Sequence, residues 1–183
     1  MLLITLCILV AIVVLFVIVT YNRLVRLQNL VKEGWSGIDV QLKQRANLIP
    51  NLVETVKGYM GHERGVLENV TELRSKAMSS GTIEERAANE NMLTQALRQL
   101  FAVSENYPDL KASQNFIDLQ QTLTSLEDQI QLARRYYNGT VRDFNITIQS
   151  FPSNLVAQAF HFQPAEFFGI EDNKEREVPA VKF

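Results

Sequence analysis

The stretch FIDLQQTLTSLEDQIQLARRYYNGTVRDFNITIQSF, residues 116–151, decides the fold. Its apolar positions are Phe116, Leu119, Leu123, Leu126, Ile130, Ala133, Tyr137, Val141, Phe144, Ile148 and Phe151. Every step between them is three or four, which marks one helix burying one stripe at near-heptad, coiled-coil-like spacing. At ~1.5 Å of rise per residue that helix is about 50 Å long. Gly139 weakens it by only about 1 kcal/mol. Pro152 lacks an amide donor and is expected to end or bend it.

Reading back toward the N terminus, Tyr107-Pro108-Asp109 stops an earlier helical segment that starts at Ile83 and carries Ala87, Leu93, Leu97 and Leu100. Before it, Ser79-Ser80-Gly81-Thr82 ends another helix, with Gly81 suited to a left-handed turn and Thr82 to capping the next segment. The stripe leading up to that turn is Leu52, Val56, Tyr59, Glu63, Val66, Val70, Leu73 and Ala77. Pro50 is expected to kink the chain or open a new helix, with Asn47 as its cap. Ahead of it, Leu24, Leu27, Val31, Trp35, Ile38 and Leu42 again step by three or four. Few glycines (8) and prolines (5) among 183 residues suit long helices better than many-turned β architecture.

Leu2 to Val19, LLITLCILVAIVVLFVIV, carries no charge. As a helix these residues span about 27 Å, close to the ~30 Å hydrocarbon core. Tyr21 and Arg23 follow where a membrane interface would lie. A cleaved signal peptide would need a basic start, a shorter apolar run and a small-residue cleavage site, none of which is present. A lipoprotein signal would need small residues before Cys7, where Thr5 and Leu6 stand. A buried soluble helix would not be apolar on every face without interruption. The reading is a retained transmembrane helix that continues straight into the first bundle helix. Arg23, Arg26 and Lys32 after the span favour a cytoplasmic body, with the periplasmic or extracellular side as the alternative. The same three cations are candidates for contact with anionic lipid.

The fold class is therefore all-α: an N-terminal transmembrane helix continuing into an antiparallel bundle of long helices, with an irregular Phe-rich C-terminal tail. The expected divisions are an anchor over 1–22, a bundle over 23–160 and a tail over 161–183. In the tail, Phe162, Phe167 and Phe168 are expected to dock on the bundle, while the charge run Glu171 to Glu177 breaks helical character and Val178 to Phe183 stand free. A net charge of −2 gives no drive toward nucleic acid.

No catalytic constellation is legible. His62-Glu63 opens like H-E-x-x-H, but Val66 stands where the second histidine must be, and the only other histidine is His161. No phosphate-cradling glycine loop or nucleophile elbow is present, so no metal, cofactor or catalytic residue is assigned. Gly58, Gly61 and Gly65 keep helical spacing and are read as a close-packing groove. Glu63 is the notable charge on an apolar stripe. It is either solvated at the stripe's edge or buried and paired, with Arg134 as the partner. Trp35, flanked by Gly34, Ser36 and Gly37, is either core or an oligomer contact.

The segments NRLVRLQNLVKEGWSGIDVQLKQRANLIPNLVETVKGYMGHE, ENYPDLKA, ARRYYN at 133–138 and FP at 151–152 together resemble the LemA family. The resemblance covers nearly the whole chain, including the anchor and FHFQPAEFFGIED. It implies a bacterial protein of the inner membrane with one N-terminal membrane helix, an antiparallel helical bundle and no established enzymatic activity. It also implies a role alongside a membrane zinc protease of the heat-shock kind or, from a magnetosome-membrane relative, in shaping membranes. Two functions follow as expectations: a self-assembling homo-oligomeric scaffold in the lipid bilayer, or an adaptor of a membrane metalloprotease with the Phe-rich tail as its docking element.

Overall fold

The computed structural model describes residues 1–169, and within them the chain is all-α with no strand. Six helices follow in order: α1 (Leu2–Lys57), α2 (Arg64–Ser79), α3 (Ile83–Ser104), α4 (Pro108–Lys111), α5 (Gln114–Gln149) and α6 (Ser153–Ala159). The expectations for the charge run Glu171 to Glu177 and for Val178 to Phe183 lie outside the described residues. Two compact units divide the helices. The first takes residues 1–42 and 128–167; the second takes 43–127 with Phe168 and Gly169.

In the first unit the second half of α5 lies against α1. A Cβ added to Gly34 would meet the Tyr137 Cα at 3.2 Å, so the two backbones approach closely there and a larger residue would need the neighbouring backbone to give by a few tenths of an ångström. Leu24, Val31 and Ile38 of α1 and Ile130, Tyr137, Val141, Phe144 and Ile148 of α5 supply the buried stripes. Residues 2–19 stay exposed apart from half-buried Val17, and the helix is long and apolar enough to cross a membrane. Burial begins in earnest at Thr20, which is 7% exposed.

The last helix ends where proline required. α5 stops at Gln149, and Phe151, expected to continue its seam, is 81% exposed because the helical period no longer governs it. α6 is closed by His161, whose φ of 59° is left-handed. Its amide donates to the Gln158 carbonyl (3.2 Å), and the Phe162 amide donates to the Ala157 carbonyl (2.9 Å). That pair of bonds is a Schellman cap, here with histidine in the place usually held by glycine.

The second unit packs the end of α1 with α2, α3, α4 and the start of α5 around Leu52, Val56, Val70, Leu100, Leu110 and Phe116. Of the two outcomes expected at Pro50, a new helix start does not occur: α1 runs through it to Lys57, so Asn47 is an interior helical residue and not a cap. Pro50 leaves the Ala46 carbonyl without its helical donor. The Arg74 guanidinium supplies one, donating from Nε to that oxygen at 2.6 Å. A charge-assisted bond of this kind is worth roughly 1.5–3 kcal/mol. Arg74→Met is therefore expected to cost that much in thermal or denaturant unfolding, and Pro50→Ala in the same background should recover part of it.

The break instead comes over residues 58–63, where the glycines sit. Gly58 and Gly61 lie in the connection and Gly65 opens α2, and nothing stands within 4 Å of a Cβ added at Gly61 or Gly65. The close-packing groove read from their spacing is thus absent. Tyr59 is 45% exposed and Met60 takes the buried position in its place. Thr82 caps α3 as expected, in a reciprocal box: its hydroxyl accepts the Glu85 amide at 3.1 Å, and the Glu85 carboxylate accepts the Thr82 amide at 3.3 Å. Gly81 does not use its left-handed freedom, since no described glycine has positive φ.

Candidate functional site

The most concentrated chemistry is a buried ion network in the second unit, on residues that the sequence reading passed over. Arg45 follows Leu42 by three and precedes Ile49 by four, so α1 aims its guanidinium into the core, where the residue is 2% exposed. Its Nη2 donates to Glu90 Oε2 at 2.5 Å. Its Nη1 donates to Glu127 Oε2 at 2.6 Å and to the Thr94 hydroxyl at 2.7 Å. The side chain of Glu90 is 6% exposed, that of Glu127 23%. Three helices, α1, α3 and α5, are thus joined through one side chain. Such a cluster engages both terminal nitrogens of the guanidinium, leaves its buried Nε without a partner, and fixes which residues face each other. Ion pairs and hydrogen bonds between side chains of three helices serve orientation.

Spacing could have found it. Leu42, Arg45, Ile49, Leu52 and Val56 step by three and four, as do Ala87, Glu90, Leu93 and Leu97. Treating charge as a break in the stripe hid both residues.

A second focus lies in the first unit, on Tyr137. The ring packs on Trp35 with centroids 5.7 Å apart, and the hydroxyl donates to the Glu166 carbonyl at 2.7 Å. Beside it the Asn145 side chain pairs with both backbone groups of Ala165, donating at 2.9 Å and accepting at 2.8 Å. Phe162 meets Tyr21 at 5.8 Å and Phe144 at 6.4 Å, ring edge to face. Burial, and then the Glu166 carboxylate, raise the Tyr137 hydroxyl above its ordinary pKa of 10.0.

The expected residues are distributed as follows. Trp35 is half-buried against Tyr137. Glu63 is not on a helical stripe: it stands at the N-cap position of α2, half-exposed, and its carboxylate accepts from the Tyr107 hydroxyl at 3.4 Å. Arg134 is 5% exposed on α5 and belongs to the first unit, Glu63 to the second. Of the tail phenylalanines, Phe162 is half-buried and Phe168 fully buried, but Phe167, expected to dock, is 49% exposed. Arg23, Arg26 and Lys32 are all exposed. An open groove of about 990 Å³ lies between the last turns of α1 and α2, lined by Met60 and Leu67 with Lys57, Arg64, Glu68 and Glu72. Its charges are mixed in sign and set no preference for a ligand.

These features define a class: an all-α bundle whose first helix is apolar enough to enter a bilayer, held together by a buried arginine and an aromatic cluster. The LemA family profile matches residues 34–183, and the chain belongs to that family. Protein LemA of Metamycoplasma hominis is 31% identical to it, over 75% of this chain and 63% of the relative. Magnetosome protein MamQ 2 of Paramagnetospirillum magneticum is 24% identical, over 81% of this chain and 64% of the relative. Magnetosome protein MamQ of Magnetospirillum gryphiswaldense is 22% identical over the same shares. The chain thus spans a little under two thirds of the length of these relatives. The apolar helix α1 is long enough to cross a membrane, and two of these relatives are named as magnetosome proteins.

Proposed function

We propose that this chain is a non-enzymatic, membrane-anchored helical scaffold that self-assembles and so organises the membrane or the proteins within it. The observation that carries the reading is a row of exposed apolar side chains on α5. Leu132, Tyr136 and Ile146 stand 59%, 50% and 54% exposed. At about 100° per residue they fall within an arc of about 80° on one face of the helix, which they share with Gly139 and the exposed Asp143. An apolar stripe that a chain leaves open is a natural surface for another helix. The magnetosome relatives support a task in organising membranes. The membrane is taken to be the inner one, crossed once, with Arg23, Arg26 and Lys32 holding the body on the cytoplasmic side; the periplasmic or extracellular side is the alternative.

The exposed Phe167 favours a second reading, an adaptor of a membrane metalloprotease that docks through the tail. Mass measurement of the full chain in mild detergent or nanodiscs separates the two. The scaffold should form a discrete large homo-oligomer, and Leu132→Ser with Tyr136→Ser should reduce it to smaller species without loss of helicity. A monomeric full chain would end the scaffold reading and turn the search to a partner bound through Phe167.

A further inference from the structure

The connection between α5 and α6, together with α6 itself, presents apolar surface that the bundle does not use. Phe151 is 81% exposed, Leu155 58% and Phe160 50%. Leu155 and Ala159, four residues apart on α6, are both exposed and share one face, and Phe151 stands exposed in the connection that leads into that helix. In a chain with 21% charged residues, no Asp, Glu, Lys or Arg occurs between Asp143 and Glu166. A solvated turn and helix of that length would ordinarily carry several.

The position of this surface along α1 says what covers it. α5 runs antiparallel to α1 within the first unit, and a close backbone approach sets Gly34 beside Tyr137. Because both helices rise by about 1.5 Å per residue, equal steps from that contact, on along α5 and back along α1, bring Phe151 level with Thr20 to within about a turn. A separate contact agrees: the Phe160 ring lies 4.8 Å from the Tyr21 ring. Thr20 and Tyr21 directly follow the uncharged run that ends at Val19. One turn further into that run, Val17 is already half-buried.

We propose that Phe151, Leu155 and Phe160 form a second membrane contact, inserted into the interfacial layer of the same bilayer that α1 crosses. The inference rests on α1 being a spanning helix. An aromatic and aliphatic face at that depth gains apolar burial, while the polar groups of α6 remain within reach of headgroup water. The contact ties the far end of α5 to the bilayer beside α1, so the first unit is held to the membrane at two places and its rotation about the α1 axis is restricted. An isolated spanning helix leaves that rotation free.

The test uses full chain carrying Trp35→Phe, with a single tryptophan introduced by Phe151→Trp or, separately, by Leu155→Trp. Both positions are exposed, so neither substitution disturbs the core. The protein is reconstituted in phosphatidylcholine vesicles with and without bromine placed high on the acyl chains. Leu9→Trp reports on the span. Val40→Trp, at a position 48% exposed and about 30 Å along α1 from Thr20, reports on the water-exposed body. Expected is loss of most of the emission at positions 151 and 155 in brominated vesicles, with Val40→Trp unchanged. If Leu9→Trp is quenched while both 151 and 155 keep their emission, the proposal is overturned. Blue-shifted but unquenched emission at those positions would overturn it too, by showing that protein and not lipid covers the face. If Leu9→Trp itself escapes quenching, the spanning helix is what fails, and the interfacial contact falls with it.

Discussion

Arg45→Met is expected to destabilise the protein by about 3–5 kcal/mol, the range found when one partner of a buried ion pair is removed. The substitution keeps the length and apolar volume of the side chain, so little of this loss comes from packing. What remains are Glu127, 23% exposed and within reach of water, and Glu90, whose side chain is 6% exposed and whose carboxylate has lost the guanidinium 2.5 Å away. A carboxylate left that dry must either bind a proton or draw water into the core, and both are costly. Adding Glu90→Met to Arg45→Met should return most of the stability, because an apolar pair of similar volume replaces an ion pair at little net cost. Thermal unfolding of the full chain in mild detergent, followed by circular dichroism, gives all three values. Should Arg45→Met alone unfold like the parent chain, the network is not holding these helices together. The double variant also tests whether the cluster sets register. If it unfolds with the parent's stability but less cooperatively, the ion pairs were selecting one alignment of α1, α3 and α5 in preference to its neighbours.

That network shows where sequence reading stops short. The stripes on α1 and α5 were legible because apolar residues recur at three and four, and the structure buries Leu24, Val31, Ile38, Leu42, Leu123, Ile130, Tyr137 and Phe144 from them. The cap at Thr82 and the stop at Pro152 were legible because each depends on local hydrogen bonding alone. Arg45 and Glu90 were not, because a buried charge is tolerated only when a distant residue neutralises it, and distance along the chain conceals the pair. The new helix start expected at Pro50 is absent for the same reason. Its missing amide would favour a break, but Arg74, 28 residues beyond the orphaned Ala46 carbonyl, supplies the lost donor. Phe151 and Phe167 were placed in the core by their apolarity, yet apolarity names a preference for leaving water and does not say whether protein or lipid provides the alternative.

Tyr137→Ala should cost about 3–5 kcal/mol, as large aromatic truncations in a packed core do. The ring is 1% exposed, lies against Trp35, and its own backbone approaches α1 closely at Gly34. Tyr137→Phe keeps the ring and loses only the bond to the Glu166 carbonyl, a net change of about 0.5–1.5 kcal/mol. The conservative variant also isolates a pH effect. Burial and the Glu166 charge raise the folded-state pKa of Tyr137 above 10.0. As pH climbs through about 10 the unfolded chain releases this proton first, so the native state then holds more protons and stability falls with further rise in pH. The contribution is complete below that range and is lost as pH passes the folded value. Tyr107 is shifted the same way, by burial and by the Glu63 carboxylate, and adds its own alkaline loss. Unfolding followed from neutral pH into this alkaline range should therefore decline less steeply for Tyr137→Phe than for the parent chain. Identical slopes would mean that this phenol already ionises as freely in the folded protein as in water, and that its hydroxyl does not hold residue 166 to α5.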